Sequence, residues 1–211
     1  MKIEIWSDIF CPFCYIGKRR FENALEEFSR KEEVEVVYKS FELNPNAHKS
    51  YDSDIHGLIA SKYGITYEEA KANNDNIVKQ AASIGLTYNF DTLISTNSFD
   101  AHRMIHFAAA HGKMEEITEK LFIAYFTDSK DISNYETLAD IANAIGLNKE
   151  EALNVLNSDA YGNEVRSDEE EGSRLGVTSV PFFVLNRKFA VSGAQSKEAF
   201  LSALEKAFED Q

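Results

Sequence analysis

Two segments near the N-terminus predict β-strands, and the first of them alternates apolar and polar side chains. The first is Ile3–Ser7, and the second is Val34–Leu43, which ends at Asn44-Pro45-Asn46. Between them, Pro12 suits the first turn of a helix that continues through Lys18–Phe28. Four apolar residues at helical spacing give this helix a face to bury: Ile16, Phe21, Leu25 and Phe28. A strand, a helix and a strand in this order predict parallel strands joined by a right-handed crossover.

The middle of the chain, from about His48 to Asn157, has the pattern of packed helices and few strand signals. The segment Thr66–Glu69 resembles a capping box that begins one helix. Three further signals mark helices: Asn97–Asp100 before a helix, the apolar spacing of Glu115–Phe126, and Tyr135–Ile145 ending at Gly146.

The last quarter returns to mixed structure. Tyr161–Leu175 has a helical pattern that stops at Gly176. The apolar run Phe182–Leu185, a turn at Asn186-Arg187-Lys188 and the run Phe189–Ser192 predict a β-hairpin. A final amphipathic helix is predicted at Lys197–Phe208, with Ser196 as its N-cap.

Composition and charge narrow the classes of function. The 211 residues carry a formal net charge of −13, which argues against nucleic acid or an anionic membrane as a partner, because both favour basic surfaces. No run approaches the ~18 apolar residues of a membrane span. The N-terminus shows no signal-peptide pattern, so a cytoplasmic location is expected. The acidic run Asp168–Glu171 is predicted to be a solvated helix face.

The two cysteines, Cys11 and Cys14, are the only ones in the chain. Their Cys-x-x-Cys spacing places a dithiol between a predicted strand and the first turn of a helix. Unpaired backbone N–H groups and the positive end of the helix dipole stabilise a thiolate there. Cys11 lies nearer the helix end and is the expected thiolate. This arrangement predicts thiol–disulfide exchange, in which Cys11 attacks a substrate disulfide and Cys14 then attacks Cys11.

A zinc site is the alternative interpretation of Cys-x-x-Cys. A structural zinc ion needs four ligands, and the sequence has no second cysteine pair. His102 and His106 are spaced i, i+4 on one predicted helix and could chelate a metal. Such a pair is more often helix surface or a hydrogen-bonded core group, so no metal is expected.

Four segments together resemble the DsbA-like oxidoreductases, which have a thioredoxin fold with an inserted helical domain, and most closely their FrnE-like subfamily. These segments are Ser7–Lys18, Asn97–Arg103, Gly176–Val184 and Ser192–Gln195. The resemblance implies an α/β thioredoxin-like fold, with a mixed central sheet and a large all-helical insertion. The thioredoxin-like domain would comprise residues 1–47 and 158–211, and the helical domain residues 48–157.

The resemblance also assigns residues. The family's nucleophilic and resolving cysteines fall on Cys11 and Cys14, and its cis-proline on Pro181. Substrate contacts are expected from Pro12, Phe13, Val180 and Pro181, with strand-like pairing of an extended substrate to Val180. Phe10, His102 and Arg103 are candidates for the cleft. Two positions depart from the relatives: Phe13 stands where Trp or His is commoner, and Ile5 where some carry a buried acid.

The expected function is thiol–disulfide exchange on protein or small-molecule disulfides and dithiols. A reductant or oxidant must recycle the dithiol, and a low-molecular-weight thiol is a candidate reductant; no other cofactor is expected. One alternative is a thiol-dependent isomerase or transferase of the same fold, although such relatives carry serine where Cys11 stands. A second alternative is a non-catalytic adaptor or chaperone-like binding protein.

Overall fold

The computed structural model describes residues 1–210 and divides into two compact units. The first unit contains residues 1–43 together with the residues from 163 onward, and the second contains residues 44–162. The predicted domain boundaries, 47/48 and 157/158, lie a few residues away from these divisions. We refer to the first as the sheet unit and to the second as the helical unit.

The sheet unit contains a four-stranded mixed β-sheet in the order β2-β1-β3-β4. The strands are β1 (Lys2–Ser7), β2 (Glu35–Ser40), β3 (Phe182–Leu185) and β4 (Phe189–Ser192). β1 is parallel to β2 and antiparallel to β3, and β3 is antiparallel to β4. The predicted parallel pair, the hairpin and the α/β class with a mixed sheet are therefore confirmed.

Nine α-helices occur in the described residues, with short 3₁₀-helices at Lys31–Glu33 and Phe90–Thr92. They are α1 (Pro12–Glu27), α2 (Ile55–Tyr63), α3 (Tyr67–Ala82), α4 (Phe99–Ala109), α5 (Met114–Phe122), α6 (Tyr135–Ala144), α7 (Lys149–Leu156), α8 (Gly162–Arg174) and α9 (Lys197–Glu209). The capping box at Thr66 is present, and Ser196 caps α9 through the Ala199 N–H. The predicted helix at Glu115–Phe126 is present, as α5 followed directly by a π-helix at Ile123–Thr127.

The strand β2 is shorter than the predicted Val34–Leu43. Phe41 N–H still donates to Ser7 O of β1 at 3.2 Å, but the next two backbone N–H groups bind carboxylates instead of a strand. Glu42 N–H donates to Glu169 Oε1 at 3.2 Å, and Leu43 N–H donates to Asp8 Oδ2 at 2.7 Å. A buried N–H group needs an acceptor, and these side chains supply it where no strand partner continues.

The turn between β3 and β4 places two non-glycine residues at positive φ angles. Asn186 and Arg187 have φ angles of 50° and 58°, which a type I′ turn needs at both central positions. Lys188 N–H donates to Leu185 O at 3.0 Å and closes the turn. The Asn186 side chain accepts a hydrogen bond from Lys2 N–H at 2.9 Å, which ties the turn to β1.

One apolar core of the sheet unit is built on aromatic contacts. Phe183 of β3 pairs in register with Ile5 of β1. Its ring packs against Phe200 of α9 and Phe21 of α1, with centroid distances of 4.6 and 5.4 Å. Burial of these large side chains holds α1 against the sheet and so fixes the helix whose first turn carries the cysteines.

The prediction of a solvated helix face at Asp168–Glu171 is wrong for Asp168, whereas Glu170 is exposed as predicted. Asp168 is only 4% exposed. Its carboxylate accepts hydrogen bonds from Lys39 Nζ at 2.8 Å and from Ser40 N–H at 3.0 Å. Its carbonyl accepts one from Trp6 Nε1–H at 2.8 Å. A buried charge is tolerated where it is paired in this way, and these contacts join α8 to β1 and β2.

Candidate active site

The two cysteines lie at the beginning of α1, as predicted. Cys11 is the N-cap residue, and Pro12 follows it in the first turn. Cys11 N–H donates to Asp8 O at 3.1 Å, and Cys14 N–H donates to Cys11 O at 3.0 Å. The Asp8 carboxylate accepts a hydrogen bond from Phe10 N–H at 3.2 Å, in addition to the one from Leu43. These bonds fix the corner between β1 and α1 that presents the dithiol.

Both thiols are free and buried, and they differ in their surroundings. Cys11 is 5% exposed and Cys14 is 2% exposed. Burial raises the pKa of the Cys14 thiol well above its usual value, and a hydrogen bond and charge repulsion with Cys11 raise it further. Hydrogen bonds from the Ser7 hydroxyl and the Asp8 N–H act in the opposite direction. Cys14 therefore stays protonated at neutral pH.

The segment before β3 brings a backbone carbonyl to the nucleophile candidate. The Val180–Pro181 peptide bond is cis, and the Cys11 thiol donates to Val180 O across 3.6 Å. Pro181 O in turn accepts a hydrogen bond from Gly193 N–H at 2.8 Å. The tertiary structure thus places Val180 and Pro181 beside Cys11, although the sequence separates Cys11 from Val180 by 169 positions.

Gly17 of α1 allows this segment to approach the helix. A Cβ atom at position 17 would lie 2.9 Å from Pro181 Cγ and 3.5 Å from the Cα of Ala194. One turn further on, Arg20 donates to Ala194 O at 2.7 Å and holds the loop between β4 and α9 next to the same face of α1. Gly17 was not predicted as a site residue. A glycine inside a helix costs about 1 kcal/mol relative to alanine. A glycine inside the predicted helix was therefore the one sign in the sequence that another segment packs closely against it.

The aromatic residues around the dithiol divide into buried and exposed members. Trp6 is fully buried in the core. Phe10 and Pro12 are half-buried, and Phe13 is exposed at 39%. Ile5 is buried, so an apolar side chain occupies the position where some relatives of this fold carry an acid. Substrate contacts by Pro12, Phe13, Val180 and Pro181 stay predictions.

The remaining candidates, His102 and Arg103, are buried in α4 of the helical unit. The Arg103 guanidinium donates to the carbonyls of Val155, Ser158 and Ala160 around the end of α7. This is a structural role for Arg103 within the helical unit. A cleft role for Phe10, His102 or Arg103 stays a prediction. Within residues 1–210 no three His, Cys, Asp or Glu side chains are grouped as metal ligands.

Comparison with known proteins identifies the family. Residues 2–205 match the DSBA-like thioredoxin domain. The chain belongs to the DsbA-like thioredoxin-domain family. A probable DsbA oxidoreductase from Streptomyces coelicolor is 42% identical, with a TM-score of 0.96 over 100% of this chain and 91% of that one. The uncharacterized protein YwbO from Bacillus subtilis is 26% identical over 206 residues, covering 96% of this chain and 94% of its own.

More distant DsbA-like structures share the fold at low sequence identity. The cytosolic disulfide reductase DsbM from Pseudomonas aeruginosa, solved with GSH, is 15% identical with a TM-score of 0.71. It covers 99% of this chain and 100% of its own. These comparisons confirm the predicted thioredoxin-like fold with its helical insertion, whereas the FrnE-like assignment stays a prediction. No helix in residues 1–210 is long and apolar enough to cross a membrane.

Proposed function

We propose that this DsbA-like protein catalyses thiol–disulfide exchange, with Cys11 as the nucleophile and Cys14 as the resolving cysteine. The observation that carries the proposal is the difference between the two thiols. Cys11 caps the N-terminus of α1 beside the Val180 carbonyl, whereas the buried Cys14 has a raised pKa. In this proposal Cys11 attacks the substrate, and Cys14 stays protonated until it attacks the mixed disulfide.

A single exchange involves only the dithiol and the substrate disulfide. The Cys11 thiolate attacks one sulfur of a substrate disulfide, forms a mixed disulfide and releases the other sulfur as a thiol. Cys14 then attacks the Cys11 sulfur, closes the Cys11–Cys14 disulfide and releases the reduced substrate. The opposite sequence of steps oxidises a dithiol. The direction in the cell depends on the potential of this pair and on the reductant or oxidant that recycles it.

The surroundings of Cys11 support an extended protein or peptide substrate. The Val180 carbonyl already accepts a hydrogen bond from Cys11, and the same backbone can pair with a substrate strand. Phe13 is exposed next to Pro12 and offers an apolar contact to a partly unfolded chain. Pro12, Phe13, Val180 and Pro181 form the substrate surface in this proposal.

A low-molecular-weight thiol is the proposed reductant in a cytoplasmic location. A disulfide reductase with this fold, DsbM, is named as cytosolic and was solved with GSH. A 2-hydroxychromene-2-carboxylate isomerase shares the fold at 14% identity and a TM-score of 0.68. The intact dithiol of this chain favours exchange over thiol-dependent isomerisation.

The proposal is tested by reduction of insulin disulfides with a glutathione-based recycling system. The Cys11→Ser variant should lose turnover, because serine cannot form a mixed disulfide. The Cys14→Ser variant should instead accumulate mixed disulfides, visible as a mass increase of one substrate thiol. Full reductase activity in the Cys11→Ser protein would contradict the mechanism. Binding of clients by a double Cys→Ala variant, without turnover by the unaltered protein, would indicate an adaptor.

A further inference from the structure

The Cys11 thiol can hold the Val180 carbonyl only while it keeps its proton. In the dithiol form it donates to Val180 O across 3.6 Å. When Cys11 forms a mixed disulfide, its sulfur no longer carries a hydrogen to donate. The carbonyl then becomes available to a substrate N–H, as strand-like pairing requires, but the thiol no longer fixes its position. A second hold on this segment therefore matters most after Cys11 has reacted.

The loop between β4 and α9 supplies such a hold, because it is bonded to the segment on one side and to α1 on the other. Gly193 N–H donates to Pro181 O at 2.8 Å. The next residue, Ala194, accepts a hydrogen bond through its carbonyl from Nη1 of Arg20 at 2.7 Å. Arg20 lies on α1, the helix that Cys11 caps. These contacts connect Pro181 to that helix without using the thiol.

The chemistry and surroundings of Arg20 suit it to this task. A guanidinium keeps its charge at every pH at which proteins are folded, and a charged donor makes a stronger hydrogen bond than a neutral one. Arg20 is half-buried. One turn earlier, a Cβ atom at Gly17 would lie 2.9 Å from Pro181 Cγ and 3.5 Å from the Cα of Ala194, so both segments pack closely on α1.

We propose that Arg20 is a positioning residue, which keeps the Val180–Pro181 segment in place for a substrate backbone once Cys11 has formed a mixed disulfide. The proposal rests on the proposed thiol–disulfide function, in which an extended substrate pairs with Val180. Arg20 acts through Ala194 and not on the sulfur atoms. Its effect should therefore appear with a substrate that has backbone N–H groups and be absent with a small thiol that has none.

An exchange equilibrium at Cys11 tests the proposal. In a Cys14→Ser background, Cys11 carries a mixed disulfide with the central cysteine of an acetylated, amidated heptapeptide, and 2-mercaptoethanol is added. The bond between the Cys11 and peptide sulfurs breaks, and a bond from Cys11 to the mercaptoethanol sulfur forms. The proton of the mercaptoethanol thiol ends on the peptide thiol. Mass spectrometry of the acid-quenched mixture gives the ratio of the two adducts.

Arg20→Met keeps most of the aliphatic stem but removes the donor. It should lower the ratio of peptide to mercaptoethanol adduct by about tenfold, the effect of one hydrogen bond from a charged donor. Arg20→Lys, which keeps a charged donor, should restore part of the ratio. The matched control is Arg19→Met, which removes the neighbouring arginine that pairs with Glu22 at 3.3 Å and should leave the ratio unchanged. A peptide N-methylated on both sides of its cysteine should give the same ratio in every variant.

An unchanged ratio in the Arg20→Met protein would overturn the proposal, because a role confined to folding does not distinguish two adducts on the same sulfur. An equal fall with the N-methylated peptide would overturn it as well, because that peptide lacks the N–H groups for pairing. The Arg20 effect on this equilibrium together with an absence of insulin turnover by the unaltered protein would refute only the proposed function.

Discussion

Arg103 in the helical unit and Cys14 in the sheet unit show two ways in which a protein buries a polar group. Arg103 Nη1 donates to Asp100 Oδ1 at 2.8 Å, and its other nitrogens donate to backbone carbonyls around the end of α7. Cys14 has partners that favour its charged form, Ser7 and Asp8, but burial outweighs them and raises its pKa. The charge of Arg103 is compensated by its hydrogen-bond partners, whereas ionisation of the Cys14 thiol costs free energy because the thiol is buried.

This difference separates a structural site from a reactive one. Arg103, whose charge is paired and hydrogen-bonded, stabilises the packing of the helices around it. A neutral thiol can still become a nucleophile when it loses its proton, although burial makes that loss costly. A strongly shifted pKa beside a second titrating group is typical of functional sites, and in this protein it occurs at the Cys-x-x-Cys corner.

The largest expected effect comes from removal of the arginine. Arg103→Ala leaves Asp100 buried with a weaker set of partners and leaves the α7 carbonyls without their donor. Breaking a buried ion pair in this way costs about 3–5 kcal/mol, so the free energy of unfolding in urea should fall by that amount. Arg174→Ala, at an exposed position of α8, is the control and should change it by less than about 0.5 kcal/mol. Equal losses of unfolding free energy in Arg103→Ala and Arg174→Ala would show that the buried partners of Arg103 add nothing to stability.

The second effect concerns the close approach at Gly17. In Gly17→Ala the new Cβ would lie 2.9 Å from Pro181 Cγ, which forces the helix or the Val180–Pro181 segment to move. Overpacking costs about 1–3 kcal/mol, against a gain of up to about 1 kcal/mol from helix propensity. We expect lower stability in urea and slower first attack by Cys11 on an aromatic disulfide.

The matched control for Gly17 is Gly162→Ala, where a new Cβ would meet the Phe99 ring at 3.6 Å, an ordinary contact. That variant should keep its stability and its rate of attack. A Gly17→Ala protein that was as stable and as reactive as the unaltered chain would show that the segment moves without cost.

The third effect is the pH dependence that the buried thiol imposes. The pKa of Cys14 is raised in the folded protein, so its contribution to stability is complete below the unfolded-state pKa of about 8.5. Above that pH the unfolded state loses the proton first, and stability falls by up to about 1.4 kcal/mol per pH unit until Cys14 also ionises in the folded state. The reduced protein should therefore lose stability faster than Cys14→Ala between neutral pH and about pH 10. Parallel stability curves would mean that burial does not penalise the Cys14 thiolate.

The smallest effect on stability is expected at Phe13, which is 39% exposed. Phe13→Ala should change the free energy of unfolding by less than about 0.5 kcal/mol. It should raise KM for a protein disulfide more than for a small aromatic disulfide, because only the larger substrate can use the apolar contact. Tyr63→Ala, an exposed aromatic position of the helical unit, should alter neither value. Identical KM changes for both substrates would argue against a protein-binding surface at Phe13.

Local sequence patterns were enough to predict the elements that carry the dithiol. The alternation in Ile3–Ser7, the helical spacing after Pro12 and the turn at Asn186–Lys188 all involve residues within a few positions of one another. The Cys11–Cys14 spacing is of the same kind, because the first turn of one helix brings the two thiols together. Hydrophobic periodicity and turn chemistry act over this short range, and for that reason local patterns predicted the strands, the helices and the hairpin of the sheet unit. The thioredoxin-like fold was instead implied by the family resemblance.

Only the tertiary structure decided which distant groups meet these elements. The sequence shows the charge of Asp168 but not its burial against Lys39, which is 129 positions away. It shows Gly17 and Pro181 but not the close approach between them. Each of these contacts depends on the packing of α1 and α8 against the sheet, which a local pattern cannot specify. The sequence determined where the thiols stand along the chain, and packing determined what surrounds them, including the burial that raises the pKa of Cys14.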